Sequence, residues 1–164
     1  MLTLGAIYSP GYKIALFFHI AAVVALGPTF AYGVLFSVLP KYPRSAPALL
    51  AGMRKTDRLL VNPGMILLLV AGIIVLATSG SVWKGSQFFI VWGFLAIIAL
   101  FGVQHGFFGP QMAKLQEIAD RDLAAGDTFS AEFETTSQKI AQVGAATGLL
   151  VVLTIFIMAY KPFL

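Results

Sequence analysis

Four stretches of the chain contain no Asp, Glu, Lys or Arg: residues 14–40, 59–83, 85–113 and 140–160. Even the shortest is long enough to cross a hydrocarbon core of about 30 Å at 1.5 Å per residue. The pattern predicts helices over about 12–39, 60–81, 86–112 and 138–160. Each is apolar on every side, which in a soluble protein marks a helix inside a large core. Four of them in 164 residues leave too little chain to build such a core. The expected fold is an all-α membrane protein, a four-transmembrane-helix up-down bundle forming one integral membrane domain over 1–164.

Composition strengthens this reading. Hydrophobic residues make up 59% and charged residues 11%, against about 25% charged in an ordinary soluble domain. An apolar solvent is needed to accommodate that surface. Cysteine is absent, which excludes disulfides and thiolate chemistry. No small-residue cleavage site follows a short apolar core, so the first segment is expected to be a retained helix and not a signal peptide.

The formal charge of +4 lies in the connections, which points to the lipid bilayer and its anionic headgroups and away from nucleic acid. The first connection carries Lys41, Arg44, Arg54, Lys55 and Arg58, and the third carries Lys114, Arg121 and Lys139. Only Lys13, Lys84 and Lys161 fall on the other side. The positive-inside rule then places both longer connections in the cytoplasm and both termini outside, in a bacterial cytoplasmic (inner) membrane. Tyr8, Tyr12, Trp83 and Tyr160 are expected at the outer headgroups and Tyr42 at the inner ones.

The connections carry further signals. Met112, Leu115, Ile118, Ala119 and Leu123 recur at helical spacing, so the third helix should continue to about Ala125, with Glu117 pairing Arg121. Gly126 would end it, and Ser130 with Glu132 and Glu134 would start the next helix. Residues 45–60 are expected as a short basic helix on the membrane surface, entered through Pro40, Pro43 and Pro47. Asn62–Pro63–Gly64 is expected to open the second helix.

Polar and small groups at membrane depth are the candidates for chemistry. His19 shares a face with Ala15, Ala22, Leu26, Thr29 and Gly33, so it should point into the bundle. It is open to three roles: an interhelical hydrogen bond, a haem or metal ligand, or a proton or substrate contact. His105 lies near the inner end of the third helix beside Gln104, flanked by Gly102, Gly106 and Gly109 in what reads as a packed face. The two histidines are separated by roughly 20 Å along the membrane normal, so they are separate candidate cofactor sites and not one.

Gly27–Pro28–Thr29 should kink the first helix near its midpoint. Gly102-x-x-x-Gly106 and Gly144-x-x-x-Gly148 match the small-residue contact pattern and predict close packing of the third and fourth helices, or self-association. Gln138 and Gln142 are placed to hydrogen-bond towards Gln104 or His105. No paired carboxylates, phosphate loop, zinc-protease motif or nucleophile triad is present, so no catalytic residue and no metal site is assigned and the reading leans away from an enzyme.

The run from His19 through Gly27-Pro28-Thr29-Phe30, with Trp83-x-Gly85-Ser86-x-Phe88 and Phe108-Gly109-Pro110, resembles an uncharacterised family of small bacterial integral membrane proteins. More distantly it resembles the copper-resistance D and HemJ-type protoporphyrinogen oxidase families. The resemblance implies a bundle of four or more helices and, from the HemJ-type proteins, a haem b contact at His19. The leading expectation is a non-enzymatic accessory or assembly subunit, packed against other membrane subunits. Haem-b redox or haem handling through His19 is the alternative, and passage of a small neutral solute past Pro28 is a third reading.

Overall fold

The computed structural model describes residues 2–163, and no strand occurs among them. Its α-helices are α1 (Leu2–Ile7), α2 (Pro10–Ala25), α3 (Pro28–Val38), α4 (Ala46–Thr56), α5 (Asn62–Thr78), α6 (Phe88–Val103), α7 (Gly109–Ala125) and α8 (Ala131–Tyr160). They join into four rods, Pro10–Lys41, Pro43–Thr78, Phe88–Ala125 and Ala131–Tyr160, each long and apolar enough to cross a membrane. Many large apolar side chains point outward from them, among them Phe17, Val24, Ile66, Leu95, Ile98 and Leu149.

The first rod breaks where Pro28 was expected to kink it. Pro28 has no N–H, and α2 ends on three-residue bonds from Leu26 to Val23 and from Gly27 to Val24. The Leu26 carbonyl accepts at the break from both the Thr29 N–H at 3.1 Å and Thr29 Oγ1 at 2.7 Å. A Cβ on Gly27 would sit 2.9 Å from the Val24 carbonyl oxygen, so the tight turn requires glycine.

The second rod corrects the expected boundary. Residues 45–60 do not lie apart as a surface helix. α4 runs into α5 through a π turn at Asp57–Val61, in which the Asn62 N–H reaches back five residues to the Asp57 carbonyl. Pro63 stands in the first turn of α5, as expected, but α5 continues from α4 within one rod instead of starting a separate one. The missing N–H of Pro63 removes a regular helical bond, and the widened turn adjusts the ladder around it. The third rod repeats the device at Gln104–Phe108, ahead of Pro110, with the Gly109 N–H bonded to the Gln104 carbonyl.

Contacts order the rods. α2 packs on α5, α3 on α8 and α4, α6 on α8, and α7 on α4 and α8. Between the first two rods, His19 meets Leu68 and Tyr32 meets Asp57, while Tyr12 meets Trp83 just beyond the end of the second rod. Later positions on one rod thus face earlier positions on the other.

The best-buried core lies at the end that carries most of the basic residues. Leu39, Leu50, Leu115, Ala119 and Phe133 are fully enclosed there, with Phe36, Met53 and Ile118 packed around them. Ser130 caps α8 by accepting from the Phe133 N–H, and the buried Asp122 carboxylate accepts the Ser130 N–H at 2.7 Å. α7 ends at Ala125, followed by Gly126, as expected. Arg121 pairs with Asp122 and Glu132, not with Glu117, because the α7–α8 turn brings those carboxylates closer. Arg44 bonds Asp127 through Nη2 at 2.6 Å, joining the first and third connections at this basic end.

The opposite, tryptophan end is closed by Trp83, whose indole N–H donates to the Tyr12 hydroxyl at 3.0 Å while Lys161 Nζ lies 4.5 Å over its ring. Tyr12 is therefore turned inward and is not an exposed anchor, whereas Tyr8, Tyr42 and Tyr160 are exposed.

Candidate functional site

Two cavities lie inside the bundle. The one at the tryptophan end has a volume of about 490 Å³ and is walled by all four rods, with His19, Gly72, Phe94 and Met158 among its lining residues. Ala15, Ala22 and Leu26 on the histidine's face are buried, as the sequence pattern requires. Nδ1 of His19 lies 3.1 Å from the Leu68 carbonyl oxygen. A carbonyl only accepts, so Nδ1 carries the proton and the lone pair of the neutral ring sits on Nε2. Nε2 makes no hydrogen bond to any described residue.

Gly72 builds the seat for this ring. A Cβ there would lie 3.1 Å from Cε1 and 3.3 Å from Nδ1 of His19, so any larger residue pushes the imidazole away. Ligating imidazoles commonly have their second N–H fixed by a backbone carbonyl, which sets both tautomer and ring direction. The donor set thus fits an axial ligand to a haem-type iron: one oriented imidazole nitrogen in a mainly apolar cavity, with the Met158 thioether as a further donor in the lining.

The second cavity, about 450 Å³, lies towards the basic end. Its polar corner joins three rods. Tyr32 Oη lies 2.9 Å from Asp57 Oδ1 and 3.1 Å from the Met53 carbonyl oxygen. The Gln104 side chain faces the same carboxylate from the third rod. Asp57 and Gln104 each begin a π turn, and each stands six residues before a proline. Such turns rotate the following helix and occur often at functional sites. No Lys, Arg or His lines this cavity. Leu26, Leu100 and Val151 line both cavities and stand between them at the Pro28 break.

The other sequence candidates fall elsewhere. His105 is exposed on the outside of the third rod, its ring stacked on Phe101, and lines neither cavity. Gly102 and Gly106 are also exposed, and a Cβ on Gly102, Gly106 or Gly144 would meet nothing within 4 Å. α6 and α8 do pack together, but at Gly93 against Met158 and through Trp92 Nε1 donating to Thr154 Oγ1 at 3.1 Å. Gly148 faces Phe30 of the first rod instead. Gln138 and Gln142 are exposed and bond neither Gln104 nor His105.

Asp57 and Tyr32 were not among the sequence candidates. Asp57 borders an uncharged stretch and so counts as connection, and Tyr32 is an unremarked aromatic within a span. The shared spacing of Asp57 to Pro63 and Gln104 to Pro110 is a signal that would have found Asp57, whereas nothing in the sequence singles out Tyr32. No protein family, curated protein or solved structure matches this chain.

Proposed function

We propose that this chain is a multi-pass protein of the bacterial cytoplasmic membrane that holds haem b through His19. In this reading the rods form an up-down bundle, the basic end is cytoplasmic, and both ends of the chain lie outside. The observation that carries the haem reading is the free Nε2 of His19, held in an apolar cavity by the Leu68 carbonyl and seated on Gly72. Bound haem b would supply one-electron redox chemistry. The chain's own part is to orient one imidazole, to exclude water with Phe89, Phe94 and Ile97, and to close the mouth with Trp83. Protein purified from membranes supplied with haem should carry about one haem per chain, and His19→Ala should carry none. Equal haem content in the two proteins overturns the proposal.

A second reading, an accessory subunit within a larger membrane complex, is favoured by the outer face of the third rod. Gly102, Gly106 and Gly109 leave a row of exposed small residues there, where another helix backbone could approach closely. Sizing after gentle detergent extraction tests it. A co-purifying partner or an oligomer is expected, and a lone monomer counts against it.

A further inference from the structure

We propose that the cavity at the basic end is a second binding site, for an organic ammonium ion with an apolar body. The inference does not depend on His19 or on haem. Asp57 is half-buried, forms no salt bridge with a described residue, and is the sole charged side chain among the described residues lining a mainly apolar cavity. A carboxylate in such surroundings is costly unless a positive charge joins it.

Tyr32 and Gln104 approach the carboxylate from the protein, but neither brings a positive charge. Tyr32 has one hydroxyl proton and two acceptors in reach, the Asp57 carboxylate and the Met53 carbonyl, so it serves one at a time. The π turns at Asp57 and Gln104 set both polar side chains on the cavity wall in place of regular helix packing. Phe36 and Phe108 add ring faces for a cation.

Access is lateral. Phe30, Leu149 and Val152 line the cavity and are also exposed on the outside of α3 and α8, so the cavity reaches the surface between those helices. In a membrane that surface faces lipid. A ligand arriving there must have an apolar body, and the carboxylate selects those with a positive head.

The experiment uses the full chain in nanodiscs of phosphatidylcholine, which has no net charge to attract cations. Binding of radiolabelled benzyltrimethylammonium is measured by equilibrium dialysis against empty nanodiscs. Saturable binding of one ion per chain is expected, unaffected by His19→Ala. Asp57→Asn, which keeps a partner for Tyr32 but removes the charge, should weaken it about a hundredfold. Gly144→Leu is the second variant. Gly144 lines the cavity and its Cβ position is open, so leucine fills the cavity without touching the polar corner, and binding should again be lost. Binding no better than that of empty nanodiscs overturns the proposal. So does unchanged binding in Asp57→Asn, which would make Tyr32–Asp57 a structural hydrogen bond only. If Asp57→Asn fails to fold, unchanged binding in a folded Gly144→Leu overturns it equally.

Discussion

Nδ1 of His19 and the carbonyl oxygen of Leu68 lie 3.1 Å apart, across the contact between the first and second rods. That bond fixes the tautomer, and Gly72, one helical turn beyond Leu68, leaves room for the ring. Gly72→Val should displace the imidazole and weaken haem binding by about 10- to 100-fold, the usual effect of disturbing a ligand's support. Haem titration of the purified variant measures it. Unchanged affinity would show that the ring does not need this seat.

Glycines in the membrane-capable rods divide into two kinds, and substitution should separate them. A Cβ on Gly64 would lie 2.9 Å from Ala25 Cβ, at the closest approach of α5 to α2. Gly64→Leu should therefore destabilise the protein by about 1–3 kcal/mol through overpacking. Gly102→Leu and Gly106→Leu project into open space, meet no clash and should stabilise the helix by up to about 1 kcal/mol. If they also dissociate an oligomer or a partner, the small-residue face serves association. Denaturant unfolding and sizing in one detergent supply both readings.

Cohesion should reside chiefly in the basic-end core. Phe133 is fully enclosed against Leu50, Leu115 and Ile118, so Phe133→Ala should cost about 3–5 kcal/mol. Leu149→Ala, on the outer surface, should cost far less, since in lipid a leucine loses little by pointing outward. Thermal unfolding of the two variants checks the contrast. Equal losses would contradict a core concentrated at that end.

The rods were legible because long uncharged, apolar stretches mark helices able to cross a membrane. The sequence revealed the break at Pro28 and the Ser130 cap because each depends on one local group. It placed Pro63 correctly in the first turn of α5 but missed that α4 continues into α5, since a π turn leaves no mark in composition. The glycine pattern failed for a related reason. A four-residue spacing defines a stripe on a helix but not the direction it faces, and Gly102, His105 and Gly106 all face outward. His19 was legible because Ala15, Ala22 and Leu26 mark its face as the buried one. Asp57 was not, because its site exists only where three rods meet.

The proposed sidedness rests on the clustering of basic residues at the end where Arg44 joins Asp127. The chain has no cysteine, so single cysteines report cleanly. Cysteine in place of Lys84 should react with a membrane-impermeant maleimide on intact cells. Cysteine in place of Gly126 should react only after permeabilisation. The reverse pattern would invert the topology.

The most direct test of the central claim is an absorption titration of the purified protein with haem b, run beside His19→Ala and His105→Ala. The account predicts a Soret band that saturates at one haem per chain, disappears in His19→Ala and persists in His105→Ala. No Soret band in the wild type, or a band unchanged by His19→Ala, would contradict it.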